Sequence, residues 1–328
     1  MRAALYNRFG PAADVIELGE IATPDPAPGE VRVKLQFSGV NPSDAKARSG
    51  TRPGVTKPPY PQVIPHSDGA GVIDALGDGV DQARLGQPVW IWNGAWHRAF
   101  GTAAEYICLP AAQAVAMPSG LDPQIGAVLG IPGLTAAQTV FGGGDVTGQT
   151  LLISGGAGAV GHNAVQLAKW GGARVIATCS AGGMERVRST GADAVLDYAD
   201  PDLASKITEA SGGEGIDRAV EVEFGQNAPL LGEVMAPLGT IAAYGSGKDM
   251  TPTLPFGAFL FKALKIDITL IYLLPDTQRE TIIARLHSAL SAGALTPAID
   301  TVYSLQDCAK AHDAVMTPGR AGAVLLRI

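Results

Sequence analysis

The most chemically suggestive spacing in the chain is Gly156-x-Gly158-x-x-Gly161, which follows the apolar run LLIS and opens the segment VGHNAVQLAKW. A glycine has no Cβ, so the chain can turn tightly and bring its backbone against a pyrophosphate. The amides of Ala159, Val160 and Gly161 then stand at a helix N-terminus, where the partial positive charge favours an anion. A second stretch, VIPHSDGAGVI (63–73), places His66 two residues before Asp68 in a glycine-rich turn. That pair is either the start of a metal site or backbone punctuation carrying an incidental imidazole. The only cysteines are Cys108, Cys179 and Cys308, too few and too scattered for a disulfide framework or a CxxC zinc cluster. They read as small buried apolar residues.

The glycine motif has meaning only between a strand and a helix, and the sequence supplies both. Strand-like runs fall at 150–154, 173–178, 194–197, 217–223, 240–244 and 266–272, with helical segments between the first five. In the first of these, Val160 to Trp170, an apolar stripe runs through Val160, Ala164, Leu167 and Ala168. Such alternation predicts an α/β, doubly wound Rossmann domain with a six-stranded parallel sheet, covered on both faces. The first 120 residues differ. Short β-like runs (MRAALY, VRVKLQFSGV, GAGVIDAL, QPVWIW, AAEYICLP) are separated by Gly/Pro turns and predict a β-rich domain. The tail after 272 does not extend the alternation and is expected to return to that first domain. The expected boundaries are therefore 1–122 with 273–328, and 123–272 for the dinucleotide-binding part.

The chain has 328 residues, 46% of them hydrophobic and 17% charged, with a net charge of −7. Length and composition fit two folded domains. The negative charge argues against nucleic acid and an anionic membrane surface as partners. No apolar stretch reaches membrane-spanning length, and MRAALYNRFG lacks the apolar core of a signal peptide. A cytoplasmic location is expected.

Dinucleotide-binding domains selective for NAD carry an acid at the end of the second strand, where it holds the ribose 2′-hydroxyl. Here that strand ends in Thr178, Cys179 and Ser180, and Arg186 and Arg188 follow. A 2′-phosphate is tolerated and cations are near, so NADP(H) is favoured over NAD(H). The alternative for both arginines is a solvated helix face.

Taken together, SGVNPSD, IPHSDGAGVI, GTAAEY, LGIPGLTA, SGGAGAVG, GADAVLDY, AAYGS and PGRAGAVLL, in that order, resemble the medium-chain dehydrogenase/reductase superfamily. The resemblance is to its zinc-free quinone oxidoreductase (zeta-crystallin-like) branch and covers nearly the whole chain. It implies a GroES-like β-rich catalytic domain, split in sequence around the Rossmann domain, with the cofactor in the cleft between them. Zinc-containing relatives place their catalytic ligands at the positions of Asn41, Ser67 and Ile131, and His66 takes the place of a glycine. A catalytic zinc needs about three N or S ligands, so no metal is expected, and His66 becomes a packed turn residue or a lining of the cleft.

The resemblance further implies that Asn41, Ile131, Thr135, Gly245 and Ser246, with Ile271 or Tyr272, surround the nicotinamide. Ser180, Tyr198 and Arg320 approach the adenosine phosphate, with Arg186 standing in for an absent lysine. Asp44 and Arg48 line the cleft. Lys46 and Arg52 replace tyrosines common in the branch, and Trp92 and Trp96 offer an aromatic wall or ordinary packing. No obligatory proton donor stands out; Lys46, Tyr60 and His66 are candidates.

The expected activity is hydride transfer from NADPH to an acceptor that is already electrophilic, a quinone or an enone, since no metal is present to polarise a plain carbonyl. Two other readings remain: reduction of 2-enoyl thioesters, and a non-catalytic, NADPH-binding structural or sensing role. A homodimer is usual in the family.

Overall fold

The computed structural model describes residues 1–51 and 54–328. The chain forms two compact units, Met1–Ile131 with Ile299–Ile328, and Pro132–Ala298. The crossing points differ from those expected. The first unit extends to 131 because helix Pro123–Gly126 packs on its strands Asp68–Leu76 and Pro88–Ile91. The second extends to 298 because helix Asp276–Ser291 packs on helix Leu134–Phe141 rather than returning at 273.

In the second unit, six parallel strands run Ala194–Asp197, Arg174–Cys179, Thr150–Ile153, Ile216–Glu221, Met235–Ala243, Lys265–Ile268 across the sheet. Numbered by sequence the order is 3-2-1-4-5-6, so the direction of winding reverses between the first and fourth strands. A crevice opens there at the strand C-termini. All six expected runs are strands, although the last stops at Ile268 and turns into a short 3₁₀ segment, Ile271–Leu273. Its interior is continuous aliphatic packing: Leu152, Ile176, Ile216, Ala219, Leu231 and Ile241 form one core.

The first unit is built on the long strand Glu30–Val40, in which Val31, Val33 and Leu35 alternate into a core with Ile73, Val89 and Ile107. Antiparallel partners are Asp68–Leu76, Tyr106–Pro110 and, from the far end of the chain, Ala323–Arg327. Helix Cys308–Ala314 covers a second core with Leu5, Val40, Ile64 and Leu326. The C-terminal tail does rejoin the first unit, as expected, but only from 299.

Candidate active site

The glycine motif lies at the turn from the first parallel strand into helix Ala159–Trp170, which has Gly158 as its N-cap. Gly155 adopts φ +68°, and a Cβ on Gly161 would lie 2.2 Å from the Gly155 carbonyl oxygen. Only a glycine lets helix and strand approach this closely. A Cβ on Gly158 would meet nothing nearer than 3.4 Å, because that residue faces outward. The first helical hydrogen bond runs from the amide of His162 to the carbonyl of Gly158 at 2.8 Å. The amides of Ala159, Val160 and Gly161 precede it and have no carbonyl within the helix to meet. This is an anion cradle at the end of the helix, beside the reversal of strand order.

The guanidinium of Arg186 donates to the carbonyl of Ala157 at 3.1 Å, inside the glycine loop. It is therefore held beside the cradle and is not the alternative, a fully solvated helix residue. Arg188 is exposed. Ser180 caps the short 3₁₀ turn after the second strand, and the amide of Tyr198 donates to Cys179 at that strand's end. Tyr198 presents its ring to solvent, 59% exposed, so a flat ligand can reach it.

One buried group at the crevice, Glu221, escaped the sequence reading. Glu221 ends the fourth strand, accepts from Asn227 Nδ2 at 3.0 Å and is bonded to Ser154 at the end of the first strand. Burial pushes its carboxyl above the ordinary range, against the pull of these hydrogen bonds. The only signal was an acid between two valines in the strand-like run DRAVEVE. Also in this unit, Ser246 Oγ accepts from Gly225 N at 2.8 Å, fixing the Gly245–Ser246 turn beyond the fifth strand. Thr135 and Ile271 are buried and Tyr272 is half-buried.

In the first unit, Asn41, Asp68 and Ile131 come together, although 90 residues separate the outer two. Asp68 is fully buried and accepts from Asn41 Nδ2 at 2.8 Å and from the amide of Ile131 at 2.9 and 3.0 Å. Burial drives its carboxyl well above the usual range, opposed by those two donors. Gly130 permits the approach, since a Cβ there would stand 2.1 Å from Asp68 Oδ1. Two of the three positions that hold zinc in metal-containing relatives are thus tied by hydrogen bonds to one carboxylate. The third, Ser67, is buried. An amide, a hydroxyl and an aliphatic side chain do not form the N/S donor set a catalytic zinc requires, so the residues at these positions do not fit that metal.

Several expected cleft residues are engaged elsewhere. Asp44 accepts from the Asn41 amide at 2.8 Å and closes the first turn of helix Pro42–Ser49. Arg48 is 5% exposed and donates to the Gly10 carbonyl, so it belongs to the interior of the first unit and does not line a substrate cleft. Lys46 is exposed on the same helix. Arg52 lies outside the described residues. Tyr60 is half-buried against Tyr6, Val15 and Val63. Trp92 and Trp96 are half-buried, the latter edge-on to His97 with centroids 4.5 Å apart, and Arg320 donates to Gly322.

His66 departs most from expectation. It is fully buried, with Nδ1 2.9 Å from Ser38 Oγ and Nε2 2.9 Å from His312 Nε2. Burial, and then the neighbouring His312, hold its imidazole well below the ordinary range. With no exposure and both nitrogens occupied, it is neither a cleft residue nor a proton donor to substrate. It is also not the isolated histidine the sequence suggests, because helix Cys308–Ala314 brings Cys308 and His312 beside it.

The zinc-binding dehydrogenase family matches residues 159–288, and the alcohol dehydrogenase GroES-like domain matches 27–119. Between them they span more than half of the chain. The quinone oxidoreductase of Rattus norvegicus is 28% identical over 341 aligned positions, covering 99% of this chain and 97% of its own. Two solved structures superpose over the full length of both chains: an NAD-dependent alcohol dehydrogenase at TM-score 0.89 and 28% identity, and a mycobacterial protein complexed with NADPH at 0.87 and 26%. The glycine cradle, the 3-2-1-4-5-6 sheet and these full-length likenesses place the chain, an oxidoreductase with a GroES-like and a Rossmann domain, in the quinone oxidoreductase branch of the medium-chain dehydrogenase/reductase superfamily.

Proposed function

We propose that this chain is an NADPH-dependent reductase of quinones or α,β-unsaturated carbonyls that uses no catalytic zinc. The observation that carries this reading is the Asn41–Asp68–Ile131 cluster, whose donor set suits a hydrogen-bonded clamp and not a Lewis acid. Without that polarisation the acceptor must be electrophilic by itself. Bound at the cradle, the reduced dinucleotide supplies the hydride. The chain supplies position: the amides of 159–161 for the pyrophosphate, and Arg186 for a 2′-phosphate beside them. No acid stands at Thr178, Cys179 or Ser180 to repel that phosphate. With His66 sealed away, the proton following hydride transfer comes from solvent or from an exposed group such as Lys46. The rat relative's name, quinone oxidoreductase, and the NADPH held by the mycobacterial structure support the reading.

The proposal includes a homodimer formed through the edge strand Lys265–Ile268. One side of that strand pairs within the sheet. Close by, Ile268 is 78% exposed and Phe261 89%, an apolar margin that a second copy would cover. A cytoplasmic location fits the three free thiols. No helix among the described residues is long and apolar enough to cross a membrane.

The test is NADPH consumption with 1,4-benzoquinone, an enone and crotonyl thioester in parallel, each repeated with NADH. Turnover of the first two with NADPH at least about tenfold better than NADH is expected, from one lost charge-assisted contact. Preferred reduction of the thioester would support the enoyl-thioester reading instead. Tight NADPH binding with no oxidation of any acceptor would support the non-catalytic one.

A further inference from the structure

The cluster His66, Cys308 and His312 has no part in the reaction proposed above. All three residues are at most 1% exposed. Their candidate donor atoms lie within 4.8 Å of one another. Cys308 and His312 are four residues apart on one helix face, and His66 reaches them from the turn before strand Asp68–Leu76.

Proton placement around His66 follows from hydroxyl bonds. Thr102 Oγ1 lies 2.5 Å from the Asp68 carbonyl, which can only accept, so the threonine proton is spent there. Ser38 Oγ, 2.8 Å away, must then donate to Thr102, and its lone pair receives the Nδ1–H of His66. His66 Nε2 is left as a bare lone pair aimed into the cluster. A ring held through its far nitrogen, with the near nitrogen free, is how metal-ligating histidines are oriented.

As it stands the cluster is expensive. His66 sits at φ +78°, a left-handed conformation rare for a residue with a Cβ. His312 Nε2–H meets His66 Nε2, so two imidazoles and a thiol are packed together out of solvent. A merely packed core would be served better by apolar side chains.

The geometry points to a structural metal site at which His66 Nε2, His312 Nε2 and Cys308 Sγ hold a monovalent soft cation, Cu⁺. Thiolate and imidazole together select Cu⁺ or Zn²⁺. Charge separates the two. A thiolate with Cu⁺ is neutral, whereas Zn²⁺ would leave one uncompensated positive charge in a dry interior. Asp44 and Arg48 act on Cys308 with opposite sign, and Arg48 alone acts on His312, so the surroundings offer no surplus negative charge to compensate a dication. Three protein donors and no solvent also leave a tetrahedral ion without its fourth ligand. Binding would release the Cys308 thiol proton, form the Cu–S bond and move the His312 proton from Nε2 to Nδ1, with no change in oxidation state. At metal–nitrogen distances of about 2.0 Å the two Nε2 atoms would part to roughly 3.3–3.5 Å, from the present 2.9 Å.

The experiment uses the full chain with Cys108→Ser and Cys179→Ser, so that Cys308 is its only thiol. Under anaerobic conditions the protein competes with bicinchoninate for Cu⁺, and Zn²⁺ is offered separately against a zinc chelator. Expected are one Cu⁺ per chain, an X-ray absorption spectrum with one sulfur and two nitrogen scatterers, and a raised Tm. Affinity should fall about 100-fold or more in Cys308→Ser and in His312→Gln, a loss of at least ~2.8 kcal/mol at 1.4 kcal/mol per tenfold. NADPH binding by Cys308→Ser reports that the variant is folded. No Cu⁺ uptake, uptake unchanged by Cys308→Ser, or a preference for Zn²⁺ would each overturn the assignment.

Discussion

Gly158 and Gly161 share a motif but differ in what a methyl group would meet. At Gly161 the methyl would be driven into the Gly155 carbonyl, so Gly161→Ala should force helix and strand apart. Overpacking of this kind costs about 1–3 kcal/mol, and NADPH binding should weaken about tenfold or more. At Gly158, where φ is −79° and the space is open, alanine should leave stability within about 0.5 kcal/mol. Thermal melts and NADPH fluorescence titration of the two variants check the contrast. The glycine spacing was legible because its chemistry is local, confined to six consecutive residues. The Asp68 clamp and the His66 cluster were not, for the opposite reason. Cys308 and His312 stand more than 240 positions after His66, and nothing in CAKAH says which loop will lie against it. Arg48 shows the same limit: an arginine beside a family motif reads as a cleft residue until its guanidinium is found on the Gly10 carbonyl.

At the scale of elements, strands came through well because alternation and apolar runs are properties of the segment itself. The runs at 150–154, 173–178 and 194–197 match their strands to within about a residue or two. The sixth was overextended. IDITLIY is mostly apolar and β-branched, but its second half turns away as a 3₁₀ segment and buries Ile271. Helix Asp276–Ser291 was assigned to the wrong unit because periodicity shows that a face is buried and not which neighbour buries it. The edge strand carries this scale's prediction. Ile268→Glu or Phe261→Glu places a charge on the exposed apolar margin and should give a monomer, read by sedimentation or light scattering. NADPH binding to the glycine cradle, built from other strands, should persist. A variant that remains dimeric would remove the edge strand from the interface.

For the whole molecule, the buried histidine pair links stability to pH. Both imidazoles are held below their ordinary range, His312 to about 3 by burial and then by Arg48. The unfolded chain therefore takes up protons near pH 6.5 that the folded chain refuses. Their contribution is intact above that pH and is lost as pH falls below it, by about 1.4 kcal/mol per pH unit for each histidine. His312→Gln should flatten the decline between pH 6 and 4 by about one histidine's share. Denaturant titrations of the two proteins across that range measure the difference.

The pairing of strand Ala323–Arg327 with Phe37–Val40 has a consequence for how the protein is made. During synthesis the first unit cannot complete its sheet until residues 323–327 leave the ribosome. The Pro132–Ala298 unit has all its strands long before then and is free to fold first. Until strand Ala323–Arg327 arrives, one edge of Glu30–Val40 waits without its final partner, open to strands of other chains. Release of a chain ending before Ala323 would make that vulnerable interval permanent, so such truncations should accumulate as aggregates whose second unit is nonetheless folded.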